Sequence, residues 1–289
     1  MIRLCLLVFF LWAGRAAAQP NDVFIYAATP AETGLDNGYV WRVLREALDH
    51  TRPTYGEYRL EAIPSMPDRR QIHALARGEP PLTVGAFTAD SNVGRELAPV
   101  RIPVERGLLG YRVLLVRKAD LGRFAQVSSL EDLRSFRFGL MPVWGDWPVM
   151  AAAGLQVVPG ESHEGLFRML AAGRFDAFSR GVAEILPEYD YAGREVPGLA
   201  VEPHLLLHYP LPIYFYFSPD AAGRRRAERV EAGLRAMVAD GSLKKLFDAE
   251  YGGLEARLDL GHRQVIELAN PLLDGGELLN EPGLWFQPH

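Results

Sequence analysis

The near end of the chain alternates between two hydrophobic periods, and this alternation restricts the fold more than any other feature. Residues 23–28 read as a buried strand. Gly38–His50 follows, with apolar residues at Tyr39, Val40, Val43, Leu44, Ala47 and Leu48, the spacing of an amphipathic helix. A strand over Tyr58–Ile63, a helix over Asp68–Ala76 and a strand over 82–87 complete the series. Strand, helix, strand in that order calls for parallel strands with helices on their faces, because a crossover between parallel neighbours needs room for a helix.

After an apolar, β-rich stretch over 108–116 the pattern restarts. Ser129 opens a short helix over 129–133, with Asp132 placed for a reciprocal cap. Strands are expected over 136–141, 155–158 and 175–178, with helices over 147–153 and 162–172, the latter entered through a serine cap at Ser162. Two more β-rich stretches, 205–209 and 212–217, precede a long helix over 221–239. That helix should stop at Asp240-Gly241, and another should cover Ser242–Tyr251. The turn-rich tail from Asn270 carries Leu284-Trp285-Phe286, which is expected to lie on the body of the protein.

Residues 1–18 have the form of a cleaved secretory leader: Arg3, an apolar run from Leu4 to Trp12, then Ala16-Ala17-Ala18. The run is too short for a membrane span, which takes roughly 20 residues. The expected location is therefore the periplasm, with no anchor after cleavage. Cys5 is the only cysteine and lies in that leader, so disulfides, thiolate metal sites and cysteine nucleophiles are excluded from the rest. Losing Arg3 and Arg15 takes the formal charge from −5 to −7, the opposite of a nucleic-acid binder's basic surface. His204 and His208 are spaced as on a helix but lie in a β-like stretch without a third ligand, so no metal is expected.

Several segments together resemble the extracellular solute-binding proteins of family 3, the amino-acid type of ABC-transporter receptors, and within them a divergent subgroup. Ser128-Ser129-Leu130-Glu131-Asp132-Leu133 stands before a Phe-Gly-Leu strand. Further on come Gly173-Arg174-Phe175-Asp176-Ala177-Phe178 and Asp240-Gly241-Ser242-Leu243. Subgroup features are Arg101-Ile102-Pro103, Gly107 to Arg112, Asp146-Trp147-Pro148, and Arg263 leading to Asn270-Pro271. The likeness spans residues 22–286.

The resemblance implies an α/β, two-lobed periplasmic-binding-protein-like type II fold, each lobe a mixed, mostly parallel sheet flanked by helices. Residues 22–113 and 212–289 would form a discontinuous first lobe and 114–211 the second, with the β stretches near Tyr111 and Tyr214 as the hinge. Hinge closure around a ligand is the known motion of such proteins.

A cleft between such lobes is lined by strand C-terminal ends and helix N-termini. The expected ligand-binding residues are Thr29, Phe87, Thr88, Arg95, Trp144, Gly145, Asp146, Trp147 and Arg180. Asp146 has an alternative role as a helix cap, and the tryptophans as packing. The resembled receptors carry an acidic residue for the ligand's ammonium where Asp176-Ala177-Phe178-Ser179-Arg180-Gly181 stands here. Their Thr-x-x-Arg carboxylate clamp has no match after Thr88, the nearest arginine being Arg95. A guanidinium at 180 would favour an anion, unless an internal carboxylate holds it. Arg101, Arg106 and Arg112 are alternatively braces of the hinge.

The expected function is capture of a small polar molecule, Arg180 pointing toward an anion, by a non-enzymatic receptor without cofactor. Its partner would be an inner-membrane permease of the ABC type. The rival readings are a sensing or protein-interaction module for a membrane signalling protein, and a small dehydratase working through an acid such as Asp146 or Glu184.

Overall fold

The computed structural model describes residues 22–28, 38–273, 275, 279–281 and 283–288, with the side chains at 91 and 191–193 excepted. The expected leader and Thr29 lie outside the described residues. Helix Gly38–His50 buries the six residues that its sequence spacing marks, Tyr39, Val40, Val43, Leu44, Ala47 and Leu48. Val40, Val43, Leu44 and Leu48 each contribute about 1.5–3 kcal/mol through burial. They pack against helix Ala221–Asp240, where Gly233 lets the backbones touch: a β-carbon there would stand 2.0 Å from the Ala47 carbonyl oxygen. That long helix ends where expected, on Gly241 in the left-handed conformation (φ 80°), which glycine adopts without steric cost.

Strands Asp22–Ala27 and Tyr58–Ile63 pair in parallel around the helix between them. The buried Arg229 closes the near end of this unit, reaching Asp22 Oδ2 (3.0 Å), Thr51 Oγ1 (3.1 Å) and the Gly56 carbonyl (2.6 Å). Ile213–Phe217 is the middle strand of a three-stranded sheet between Gly85–Thr88 and Ala98–Val100. A seven-stranded sheet holds the rest: Gln264–Glu267, Leu205–His208, Tyr111–Arg117, Ala177–Gly181, Arg137–Leu140 and Gln156–Pro159 in order, with Leu199–Val201 also on Tyr111–Arg117. Every antiparallel pairing among the described residues involves Tyr111–Arg117 or Ile213–Phe217, and all others are parallel.

The strand beside Tyr111 is Leu205–His208, with Tyr111 opposite His208, while Tyr214 lies on the middle strand of the three-stranded sheet. One placement differs from the sequence reading. Gln264–Glu267, expected with the first lobe, pairs in parallel with Leu205–His208, which that division puts in the second. The cause is Arg263, whose guanidinium donates to the carbonyls of Leu258 (2.7 Å), Glu202 (2.6 Å) and Leu205 (3.0 Å). Three backbone carbonyls that burial would otherwise leave unpaired are met by one buried cation, which docks the strand that follows it.

Both serine caps form: Ser129 with Asp132 as a reciprocal box, and Ser162 on the Gly165 N–H. A helix over Ile185–Glu195 was not anticipated, although Pro187 in its first turn is a start signal.

Candidate functional site

The site is built where strands Tyr111–Arg117 and Ala177–Gly181 run antiparallel, with Arg112 opposite Gly181 and Val113 opposite Arg180. Helix Asp146–Ala152 and helix Ile185–Glu195 bring carboxylates to their ends. Arg112 donates from Nη2 to Asp146 Oδ1, from Nη1 to Glu184 Oε2 (3.0 Å) and from Nε to the Tyr209 hydroxyl (3.2 Å). The Tyr209 hydroxyl donates in turn to Asp146 Oδ1 (3.0 Å). Arg180 grips Glu188 with two bonds of 2.6 Å and lies 3.2 Å from Glu184. His163 Nε2 meets Glu188 Oε1 at 2.9 Å and closes the row. Asp146, Arg112, Glu184, Arg180, Glu188 and His163 thus form one connected chain of charge.

Burial makes every member of this chain depend on its neighbour. Burial alone would lift the Glu184 carboxyl, but Arg180, Arg112 and the Gly181 N–H (2.8 Å) hold it below the usual carboxylate range. Burial opposes the charge on Arg112, and Asp146, Tyr209 and Glu184 outweigh it. Burial, then Asp146, raises the Tyr209 phenol and keeps it protonated. Glu105 stands apart. It is partly buried, accepts a 3.4 Å bond from the Tyr251 hydroxyl and has no cation within ion-pair distance among the described residues. Burial and the Glu184 charge push it up to about 7.

The aromatic wall is Trp144. The Arg180 guanidinium carbon lies 4.7 Å from the Trp144 ring centre and 5.0 Å from that of Phe178, distances at which a cation is drawn to the ring face. Next to Trp144, Gly145 faces Thr88 from the three-stranded sheet. A β-carbon on Gly145 would stand 3.3 Å from Thr88 Oγ1 and 3.5 Å from Leu211 Cδ1. The gap between Gly145 and Thr88 is thus about the width of one methyl group.

Of the expected site residues, Thr88, Trp144, Gly145, Asp146 and Arg180 come together. Others do not. Phe87 turns into the small core with Leu75, Leu82, Tyr214 and Tyr216, its ring over Gly85. Arg95 is exposed and bonds Asn92 of its own short helix, which Asp90 caps. Trp147 packs half-buried on the core beneath its helix. Asp146 caps nothing; it is the counter-ion of Arg112. Glu188 occupies the Nε–Nη2 edge of Arg180, so that edge is not offered to an anion. Sequence reasoning missed Tyr209, Glu188 and His163. The spacing Arg180, Glu184, Glu188 was the available signal, since it sets both acids on one face of a helix beginning near residue 185. His204 and His208 are engaged separately, His204 with the Val127 carbonyl (3.0 Å) and His208 with Glu267 (2.7 Å).

Solved structures provide the comparison. An ancestral arginine-binding protein bound to arginine is similar over 80% of this chain and 99% of its own, at 19% identity and a TM-score of 0.55. The VFT2 domain of Bordetella pertussis BvgS, a double mutant, matches 79% of this chain and 93% of its own, at 16% identity and 0.56. The chain has the fold of the two-lobed periplasmic binding proteins. An ancestral amino-acid-binding protein described as a precursor of cyclohexadienyl dehydratase gives 15% identity and 0.53, over 79% of this chain and 95% of that one. No family model and no curated protein matches the sequence. At these identities the likeness carries the fold, and function rests on the site. Among the described residues no helix is long and apolar enough to cross a membrane.

Proposed function

We propose that this protein is a periplasmic solute receptor that closes two lobes over a small polar molecule, one lobe built from 22–113 and from 212 onward and the other from 114–211, with strand Gln264–Glu267 joined to the second. The observation that carries the reading is the close approach of Thr88, at the end of a strand of the three-stranded sheet, to Gly145, at the start of helix Asp146–Ala152: only a methyl-sized gap separates them, beside the Trp144 ring and charges already fixed in place. Function then lies in the difference in affinity between open and closed forms. The charged row counts two guanidiniums against three carboxylates, with Glu105 nearby, which favours a neutral or cationic ligand over the anion expected from Arg180 alone. On this reading the partner is an inner-membrane permease, and the protein reaches the periplasm through the leader at 1–18.

A thermal-shift screen against amino acids, amines, organic acids, nucleobases and phosphorylated metabolites tests it. A ligand that binds only the native state raises the midpoint by mass action. A rise with a cationic or neutral polar compound supports the reading, and a flat response across the panel removes it.

The second reading is a sensing module whose lobes respond without a soluble ligand. Its support is the internal pairing of Arg112 and Arg180, which leaves both guanidiniums already bound to carboxylates. An enzymatic role finds less support, because Glu184 is held ionised and is not a proton donor at neutral pH.

A further inference from the structure

We propose that the outer face of helix His163–Ala171 is a docking groove for an acidic segment of a partner protein. The helix buries Leu166, Phe167 and Leu170, and His163 at its start joins the charged row. Gly165, Arg168, Met169 and Ala172 fall three or four residues apart and so share another face, which solvent reaches. That face lines an open cavity of about 610 Å³, with Glu161 ahead of the helix and Arg174 past its end.

Two guanidiniums here are free. Arg168 and Arg174 are exposed, and neither side chain has a hydrogen bond or ion pair among the described residues. Arg117 donates to the Phe175 carbonyl (2.7 Å) and Arg137 to the Gly173 carbonyl (3.1 Å), so Arg174 sits between two residues held by other arginines. Arg117, Arg123 and Arg137 converge on Asp176 at 3.4, 3.2 and 3.2 Å. Asp120 is their one other acidic partner among the described residues. Four guanidiniums therefore meet two carboxylates at this end of the groove, on a chain whose formal charge is −5. Arg123 and Arg137 are close to half exposed, so the excess faces solvent. Glu161 and Glu164 stand at the opposite end, where a helix amino terminus favours acids. The groove is thus polarised, and its far end attracts an anion.

The shape selects the kind of anion. An open trough leaves most of a small anion in water, whereas small-molecule pockets enclose most of their ligand. A membrane surface would call for projecting apolar anchors, and the exposed large hydrophobics among the described residues, Val143, Val265 and Leu279, lie outside the groove. A chain segment fits. The nine residues of the helix rise about 14 Å, the length of about four residues of extended chain. Carboxylates on such a segment would meet Arg168 and Arg174 in bidentate pairs, with Met169 as an adaptable apolar contact beside them.

The test is the fluorescence anisotropy of a fluorescein-labelled hexaglutamate peptide titrated with the protein at low salt. The parent should bind it. Arg168→Ala with Arg174→Ala should weaken binding at least about tenfold, the value of one lost charge-assisted hydrogen bond, while the thermal midpoint stays at the parent's. Arg69→Ala with Arg70→Ala removes the same charge from exposed positions on helix Asp68–Ala76 and should leave binding unchanged. No binding by the parent, no loss in the groove variant, or an equal loss in both variants overturns the proposal. Inorganic phosphate should displace the peptide no better than sodium chloride at equal ionic strength. Better displacement makes the groove a small-anion site and overturns the peptide reading. Phosphatidylglycerol vesicles should not sediment the parent, and sedimentation that the groove variant loses overturns the proposal in favour of a membrane surface. Should the groove variant fold poorly, Arg168→Gln with Arg174→Gln takes its place, with the same outcomes. No solute enters the measurement and no residue of the candidate site is changed, so the result is separate from the receptor reading.

Discussion

Arg180 lies with its fork on Glu188 and its face toward Trp144, so the cation that sequence reading offers to a ligand is spent inside the protein. Replacing it tests what the pairing contributes. Arg180→Met leaves Glu188 and Glu184 buried beside one guanidinium fewer, and loss of one partner of a buried pair costs about 3–5 kcal/mol. Urea unfolding should show a loss of that size. Arg180→Met combined with Glu188→Gln should lose less than the single change, because no uncompensated carboxylate remains at 188. Equal stability of Arg180→Met and the parent would contradict the connected row.

Glu105 sets a pH dependence with a definite sign. Its carboxyl is raised from 4.5 to about 7 in the folded protein by burial and by Glu184. The native state therefore holds a proton between those values that the unfolded state has released, and stability falls as pH rises through this window. Above about 7 the loss is complete. Glu105→Gln removes the penalty, so the variant should gain about 1–3 kcal/mol at pH 8 and much less at pH 5, read by urea unfolding at both. An identical gain at the two pH values would show that Glu105 does not titrate in this window.

Glu184 has the opposite sign. Arg180 and Arg112 depress it against the effect of burial, so its contribution is present above the ordinary carboxylate range and is lost as pH falls through its lowered value. Acid unfolding of Glu184→Gln should begin from a less stable protein and show a shallower acid limb than the parent. A limb of unchanged steepness would remove Glu184 from the acid response.

Gly110 marks the close approach of the segments at 108–112 and 209–211. A β-carbon there would meet the Tyr209 carbonyl oxygen at 2.0 Å, and neither backbone can yield without moving the other. Gly110→Ala should cost about 1–3 kcal/mol, the range for forced overpacking. A thermal midpoint equal to the parent's would mean that these segments do not touch in solution.

The elements of this fold were legible where a hydrophobic period ran long enough. Gly38–His50 shows its six buried positions in its spacing, and Ser129 and Ser162 announce their caps through chemistry local to four residues. Which strands pair was not legible, because pairing is a long-range matter that no local period encodes. The docking of Gln264–Glu267 on Leu205–His208 depends on Arg263 reaching carbonyls some sixty residues away. The site was half legible. Thr88, Trp144, Gly145, Asp146 and Arg180 could be placed near one another through strand ends. Their partners Tyr209 and Glu188 are ordinary residues until the fold sets them beside Arg112 and Arg180. Phe87 was misplaced because strand alternation decides its side: Thr88 faces Gly145, so its neighbour turns to the core.

The most direct test of capture by closure is at Gly145. Its backbone is in the ordinary right-handed region (φ −60°, ψ −20°), so the chain itself accepts a side chain there, and the neighbours it would press on are Thr88 of the facing lobe and Leu211 of its own. Gly145→Leu should fold with a midpoint near the parent's while propping the two faces apart. The measurement is the thermal shift of parent and Gly145→Leu side by side with each compound that raises the parent's midpoint. A shift in the parent that disappears in the variant is the predicted result. A shift of equal size in both, or none in the parent with any compound of the panel, would contradict capture by closure of Thr88 onto Gly145.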